Sequence, residues 1–472
     1  MQTKLKPIEL SNMRYRLGYH VSAKSGWIND PNGFIFFKGY YHIFYQHHPY
    51  SAEWGPMHWG HARSKDLVHW ETLPIALTPG DTEDKDGCFS GSAVIKDGKM
   101  YLIYTGHHYY EGDSDPEHFW QNQNLAISED GIHFEKYENN PIIASAPEDN
   151  TQHFRDPKVW YNNGSWYMIL GSQSSVDELG RVLTYKSKNL IDWDYLGPIT
   201  KSNDLKTEGF MWECPDFFRL GDKDVLLMSP EGIEEDEFRF RNENETGYMT
   251  GNFSYDSNRF DHSNFQELDS GHDFYATQTT LAPDGRRLVI GWMDMWGSVM
   301  PEQEDGWAGA LTFPRELTLK NDKLYMNPVS ELKKLRTGEV ISDSFEINGF
   351  KKLDYNGNHY EAEINFDNAD KSGITLTTDN EELLKITYSK DNSHVVLKRP
   401  GKDGIREAVI MPAKTLKFHL LVDTSSVELF VNDGEATFTE RLYTEDKVSL
   451  NLLSQGKVSY DIYQLEKNAV KY

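Results

Sequence analysis

The 472-residue sequence lacks most of what would mark a membrane, disulfide-stapled or nucleic-acid-binding protein. No window approaches the roughly 18 consecutive apolar residues of a membrane span. The opening stretch MQTKLKPIELSNMRYRLGYHV has no apolar core of the kind that heads an export signal, so a cytoplasmic protein is expected. Cysteine is almost absent. Cys88 and Cys214 are too few for a disulfide framework or a structural zinc site, and each is expected to be a small buried hydrophobe. Positive charge is scarce as well: 48 Lys and Arg face 74 Asp and Glu, for a net charge of −26 and an isoelectric point near 5.0. That field repels nucleic acid and anionic membranes, so neither is an expected partner. No HExxH or similar ligand spacing occurs, and neighbours in the pairs His47-His48 and His107-His108 would point to opposite faces of a strand. Neither a metal nor a cofactor is expected.

What is plentiful is aromatic residues, at 13%, with 36 Gly and 19 Pro punctuating short apolar runs. This is the texture of many strands and turns. A hairpin recurs as GYYHIFYQ, GKMYLIYTG, GSWYMILGS, KDVLLMSPEG and RRLVIGWMD. Counted from Tyr41, Tyr101, Tyr167, Val225 and Leu288, the steps are 60, 66, 58 and 63 residues. After the first three copies comes a second element: SKDLVHWE from Ser64, SEDGIHFE from Ser128 and SKNLIDWD from Ser187. It fits a turn opening into an outer strand. Four-stranded units repeated at one period indicate a β-propeller, here of five blades over residues 1–330.

Residues 331–340 are charged and read as a linker. Residues 341–472 change to plain alternation, as in YEAEINF, LLKITYS and SSVELFVNDG, which indicates an all-β sandwich. It carries no cluster of catalytic residue types, so its expected role is structural.

The strand preceding each hairpin should line the propeller's bore. These strands read WINDPNGFIFF, CFSGSAVIK, HFRDPKVWY, WECPDFFRL and DFYATQTTL, with polar residues where packing would favour apolar ones. In WINDPNG the Pro-Asn-Gly end suggests a tight turn. Asp30, Asp156 and Glu213 open the first, third and fourth units, so they can converge on one axial pocket. Asx-Pro turns alone would also place Asp before Pro, but three acids in register with a repeat are costly to bury without a task. Converging carboxylates beside aromatics suit glycoside chemistry, in which one attacks an anomeric carbon and one protonates the leaving oxygen.

In this order and spacing, WINDPNG, FSGSAV, FRDPKVW, WECPDFF and DFYATQT resemble glycoside hydrolase family 32, the invertases and other β-fructofuranosidases. The resemblance spans about residues 15–330, and more weakly SSVELFVNDG. It implies a five-bladed propeller followed by a sandwich, and a small sugar as partner. It implies Asp30 as nucleophile, Glu213 as general acid/base and Asp156 as the carboxylate that grips fructose hydroxyls. It further implies that Asn29, Gln46, Trp54, Phe89, Ser90, Arg155 and Trp292 contact substrate and that Tyr275 tunes the acid/base. Arg155 beside Asp156 is expected to hold that carboxylate ionised, and Trp212 to help keep Glu213 protonated. QHHP from Gln46 and Lys24 before Trp27 depart from the family's usual pattern, which makes Lys24, His47 and His48 the candidates for any phosphate on the substrate.

The implied reaction is retaining hydrolysis of sucrose or sucrose 6-phosphate. An exo-fructanase or fructosyltransferase acting on short fructo-oligosaccharides shares the same intermediate. An inactive carbohydrate-binding protein on the same scaffold is the alternative of another class. Oligomeric state is not encoded in any of these motifs.

Overall fold

The computed structural model describes residues 6–113, 115–367, 370–401 and 403–472. Apart from the four-residue helix Leu205–Glu208 and two short 3-10 turns, the described elements are strands. No helix among the described residues is long and apolar enough to cross a membrane.

The repeat seen in the sequence becomes a series of antiparallel sheets forming a β-propeller. Their leading strands are Gly26–Phe37, Gly87–Lys96, Asn150–Asn162, Met211–Leu220 and Tyr275–Leu281. The recurring hairpin is the link from each leading strand to its neighbour. Ser-x-Asp/Asn elements make the expected turns: Asp66 Oδ1 accepts the amides of Val68 and His69, and Asn189 Oδ1 those of Ile191 and Asp192. Apolar side chains fill the seams between successive sheets. Phe44 and Trp59 meet Leu102 and Ala126, Val94 and Leu125 meet Met168 and Leu183, Ile169 and Val182 meet Trp212 and Leu226, and Val225 meets Val289 and Leu317. A further seam joins Ile28 and Ile43 to Leu288 and Ile290, returning from the last sheet to the first.

The sheets are not all alike. Four draw their strands from a single chain segment each, whereas the first is six-stranded and composite. Trp307–Ala308 adds parallel to Gly26–Phe37, and Val470–Lys471, near the other end of the chain, adds parallel to Trp70–Leu77. Such edge pairing joins distant segments and leaves no periodic trace in a sequence.

Residues 331–340 hold the end of the 3-10 turn Ser330–Leu335 and the start of the 21-residue strand Arg336–Asn356. The C-terminal region is a sandwich-like barrel made from one ten-stranded sheet. The sheet is continuous because the long strand Ser449–Leu465 pairs with Lys371–Thr377 through its first half and with Tyr360–Asp367 through its second. Its core holds Tyr360, Phe366, Leu376, Ile386, Phe418 and Leu429.

Within the bore, a belt of polar contacts ties the leading strands together. Asn32 Oδ1 accepts the Gly91 amide, Ser92 Oγ accepts the Val159 amide, and Lys158 Nζ donates to Asp216 Oδ2 at 2.7 Å, which also accepts the Thr279 amide. Gln278 returns to Gly91 O. These contacts satisfy buried groups that an apolar filling would leave unpaired.

Candidate active site

Every leading strand carries a β-bulge at its functional motif. The ladder slips between Ile28 and Pro31, Phe89 and Gly91, Glu213 and Asp216, and Tyr275 and Thr277, and in the third sheet beside Arg155-Asp156. WINDPNG is therefore not a tight turn but part of an unbroken strand with two bulges. Pro31 and Pro215 have no N–H to give to a ladder, so a bulge is where a strand tolerates them. Three non-glycine residues in these motifs adopt positive φ: Asp156 at 64°, Cys214 at 48° and Ala276 at 43°. Such backbone costs on the order of 1 kcal/mol or more per residue and re-aims the side chains beside it.

The result is one cavity of about 410 Å³ that brings together Asp30, Asp156 and Glu213. Asn29, Gln46, Trp54, Phe89, Ser90 and Arg155 also line it, as expected from the motifs. Asp30 Oδ1 accepts Asn29 Nδ2 at 3.0 Å, and Oδ2 accepts Ser90 Oγ at 2.7 Å and lies 3.5 Å from Cys214 Sγ. Asp156 Oδ2 accepts the Cys214 amide at 2.8 Å, so residue 214 touches both carboxylates. Glu213 is clamped on both oxygens: Arg155 Nε donates to Oε1 at 2.9 Å and the Tyr275 hydroxyl to Oε2 at 2.5 Å.

Arg155 departs from its expected role. Its guanidinium bonds Glu213, Glu231 Oε1 at 2.8 Å and His153 Nδ1 at 2.9 Å, not Asp156. Burial, and then the charge of Glu213, push Asp156 up to about 7 against the opposing pull of Arg155. Asp30 is raised by the same two causes in the same order, and Glu231 reaches about 8, again through burial and Glu213. Trp212 does not shelter Glu213. Neighbours on a strand face opposite ways, and Trp212 packs with Ile169 and Leu226 between sheets.

Trp292 is fully buried behind the wall, against Trp27 and Trp296, and Trp296 lines the cavity instead. Tyr275 also lies behind the wall and reaches the site through Glu213. Lys24, His47 and His48 do not line the cavity. Sequence reading missed Cys214, Glu231, His107 and His153. Glu231 was visible only as the polar end of KDVLLMSPEG. It pairs across the ladder with Met211, two residues from Glu213. Elsewhere, Glu361, Glu363 and His419 form one group of potential metal ligands among the described residues, but Arg336 donates to both carboxylates.

Residues 20–328 match the family model for the glycosyl hydrolases family 32 N-terminal domain, and residues 331–467 match that for the family 32 C terminal. The chain belongs to glycosyl hydrolase family 32. Among relatives of this family 32 chain, a sucrose-6-phosphate hydrolase of Zymomonas mobilis is 43% identical over 444 residues, covering 90% of this chain and 85% of its own. A raffinose invertase of Escherichia coli is 41% identical, with 90% and 89% covered. The solved Bombyx mori β-fructofuranosidase superposes with a TM-score of 0.88 at 38% identity, covering 98% of this chain and 96% of its own, and a variant of that protein was solved with sucrose. The chain is accordingly a glycoside hydrolase.

Proposed function

We propose that this enzyme is a retaining β-fructofuranosidase that hydrolyses sucrose or sucrose 6-phosphate. The observation that carries this reading is that two carboxylates in one cavity are held in different ways. Asp30 is fixed by Asn29 and Ser90 and has no cation bonded to it among the described residues, whereas Glu213 is clamped by Arg155 and Tyr275. A carboxylate held by neutral donors keeps its electron pairs available for attack. One set between a guanidinium and a phenol is oriented to hand a proton over and take it back.

Ionised Asp30 attacks C2 of the fructosyl unit while Glu213 protonates the leaving glycosidic oxygen. Glu213 then takes a proton from water, which displaces the fructosyl group from Asp30. Two displacements retain the anomeric configuration. Asp156 grips fructose hydroxyls, and Asn29, Gln46, Phe89, Ser90 and Trp54 shape the sugar site. The open aromatic face of Trp54, 43% exposed, suits the sugar ring at the rim.

We count five blades, taking the composite sheet as the first. Five leading strands, each with its bulge at a site motif, support this count. In this reading residues 1–330 form the catalytic unit, 331–340 the link and 341–472 a sandwich that supports it.

The test is release of glucose and fructose from sucrose by the wild type and by Asp30→Asn. The reading expects turnover in the first and almost none in the second. Comparable turnover in both would exclude Asp30 as nucleophile.

A further inference from the structure

The charge on the cavity wall is unbalanced. Five carboxyl groups line it: Asp30, Asp156, Glu213, Glu231 and the exposed Glu117. Against them stands one guanidinium, Arg155, whose donors already serve Glu213, Glu231 and His153. The two imidazoles on the wall, His107 and His153, are pushed down to about 3 by burial and then by the charge of Arg155, so both are neutral. No other Lys, Arg or His lines the cavity among the described residues. Of the basic groups near its motifs, His47 Nδ1 donates to Trp27 O and His48 Nδ1 to Glu53 O, and Lys24 is exposed and off the cavity wall.

Resting on the β-fructofuranosidase reading, we propose that this acid excess, with Glu231 as its specificity-determining residue, makes the pocket select the unmodified disaccharide over one whose leaving sugar carries a phosphate. Glu231 stands on the strand beside Glu213 and shares Arg155 with it, which places it on the side where the leaving oxygen is protonated. Its Oε1 is taken by Arg155, and Oε2 has no hydrogen-bond partner among the described residues. Sugar hydroxyls can donate to such oxygens. A phosphate ester, with a charge of about −1.5 to −2 at neutral pH, cannot, and it needs unpaired cations that this wall does not offer. Burial and mutual repulsion make Asp30, Asp156 and Glu231 hold their protons more tightly than ordinary carboxyls, up to about 7 at Asp156 and about 8 at Glu231, so the wall's excess of negative charge grows as pH rises through that range. A dianion would add to it.

The experiment compares kcat/KM for sucrose and sucrose 6-phosphate at pH 8.5, where Asp156 and Glu231 are mostly ionised, at low and high ionic strength, in the wild type, Glu231→Gln and Glu117→Lys. The wild type should favour sucrose by at least about tenfold at low salt, because a like-signed cleft lowers capture of a charged substrate by about that factor or more. Added salt should narrow the gap. Glu231→Gln should lower turnover of both sugars by loosening Arg155, yet shrink the ratio between them. Glu117→Lys, at an exposed rim position, should shrink the ratio by raising kcat/KM for the phosphosugar. Equal or better use of the phosphosugar by the wild type overturns the proposal, as does a ratio that neither salt nor either variant moves. No turnover of either sugar would overturn the proposed function and this inference with it.

Discussion

Two regions of the molecule withdraw carboxylates from water and treat them in opposite ways. At the seam between propeller and C-terminal barrel, Asp423 and Glu428 each have cationic partners. His20 bridges them at 2.8 and 2.6 Å, and Arg315 bonds Glu428 at 2.5 Å and Asp269 at 2.8 Å. Burial alone would raise both acids. The His20 hydrogen bond brings Asp423 below its ordinary range, and the charge of Arg315 does the same for Glu428. In the axial cavity, Asp30, Asp156 and Glu231 are raised instead. Burial is shared by the two regions; what differs is the ratio of cations to acids. The charges of the seam hold two domains together, while the cavity leaves acid unneutralised, as the proposed attack on a sugar and protonation of its leaving group require.

The sharpest way to break this comparison is to neutralise one acid of the cavity. Asp30→Asn should lower kcat by at least about three orders of magnitude, as loss of a nucleophile does, with the fold intact by circular dichroism. The matching change at the seam, Arg315→Met, should destabilise by about 3–5 kcal/mol because it takes from buried Asp269 the cation bonded to it and leaves Glu428 only His20. Urea denaturation measures the loss, and the KM for sucrose of the folded enzyme should not change. Tyr275→Phe removes the hydroxyl from Glu213 and should lower kcat by about 10- to 150-fold, the range expected for one hydrogen bond to a charged group.

Asp156→Asn should abolish activity yet stabilise the fold, by about 1 kcal/mol or more at pH 7 to 8. The sign follows from linkage. A carboxyl raised in the folded state to about 7 binds its proton more tightly there than in the unfolded chain, so stability falls as pH rises from 3.8 to about 7, and the amide removes that fall. At the seam, burial alone would lower His20, but its bonds to Asp423 and Glu428 raise it to about 9. Its contribution is fully present below 6.5 and is lost as pH rises through about 9. Thermal melts of wild type and Asp156→Asn from pH 4 to 10 should therefore diverge as pH rises from about 4 to 7 and stay apart by a constant amount above that, with a further decline common to both between about pH 6.5 and 9.

The acid trio was legible in the sequence because propeller repetition turns sequence period into axial convergence. Asp30, Asp156 and Glu213 occupy the same place in their units, and only the bore is common to all. Glu231 was not legible, because it reaches the cavity by cross-strand pairing with Met211, a relation that a linear motif does not record. Cys214 was hidden by its residue type: a buried thiol between two carboxylates has no composition signal. Trp292 and Trp296 lie four residues apart in one aromatic cluster, and only three-dimensional packing decides which of them reaches the wall. The bulges were misread for a physical reason: Pro-Asn-Gly favours turns and strand bulges alike, and the ladder on both sides decides between them. The composite first sheet lay beyond reach because Val470–Lys471 joins it from near the far end of the chain.

The central claim is that Asp30 forms a covalent bond to the sugar while Glu213 manages the proton. Glu213→Ala, given a fructosyl donor whose leaving group departs without protonation, should load Asp30 and then fail to activate water. Intact-mass analysis and peptide mapping of the quenched variant should find one fructosyl group on the peptide carrying Asp30. A fructosyl group on any other residue, or rapid turnover with no adduct and an inverted product, would contradict the account.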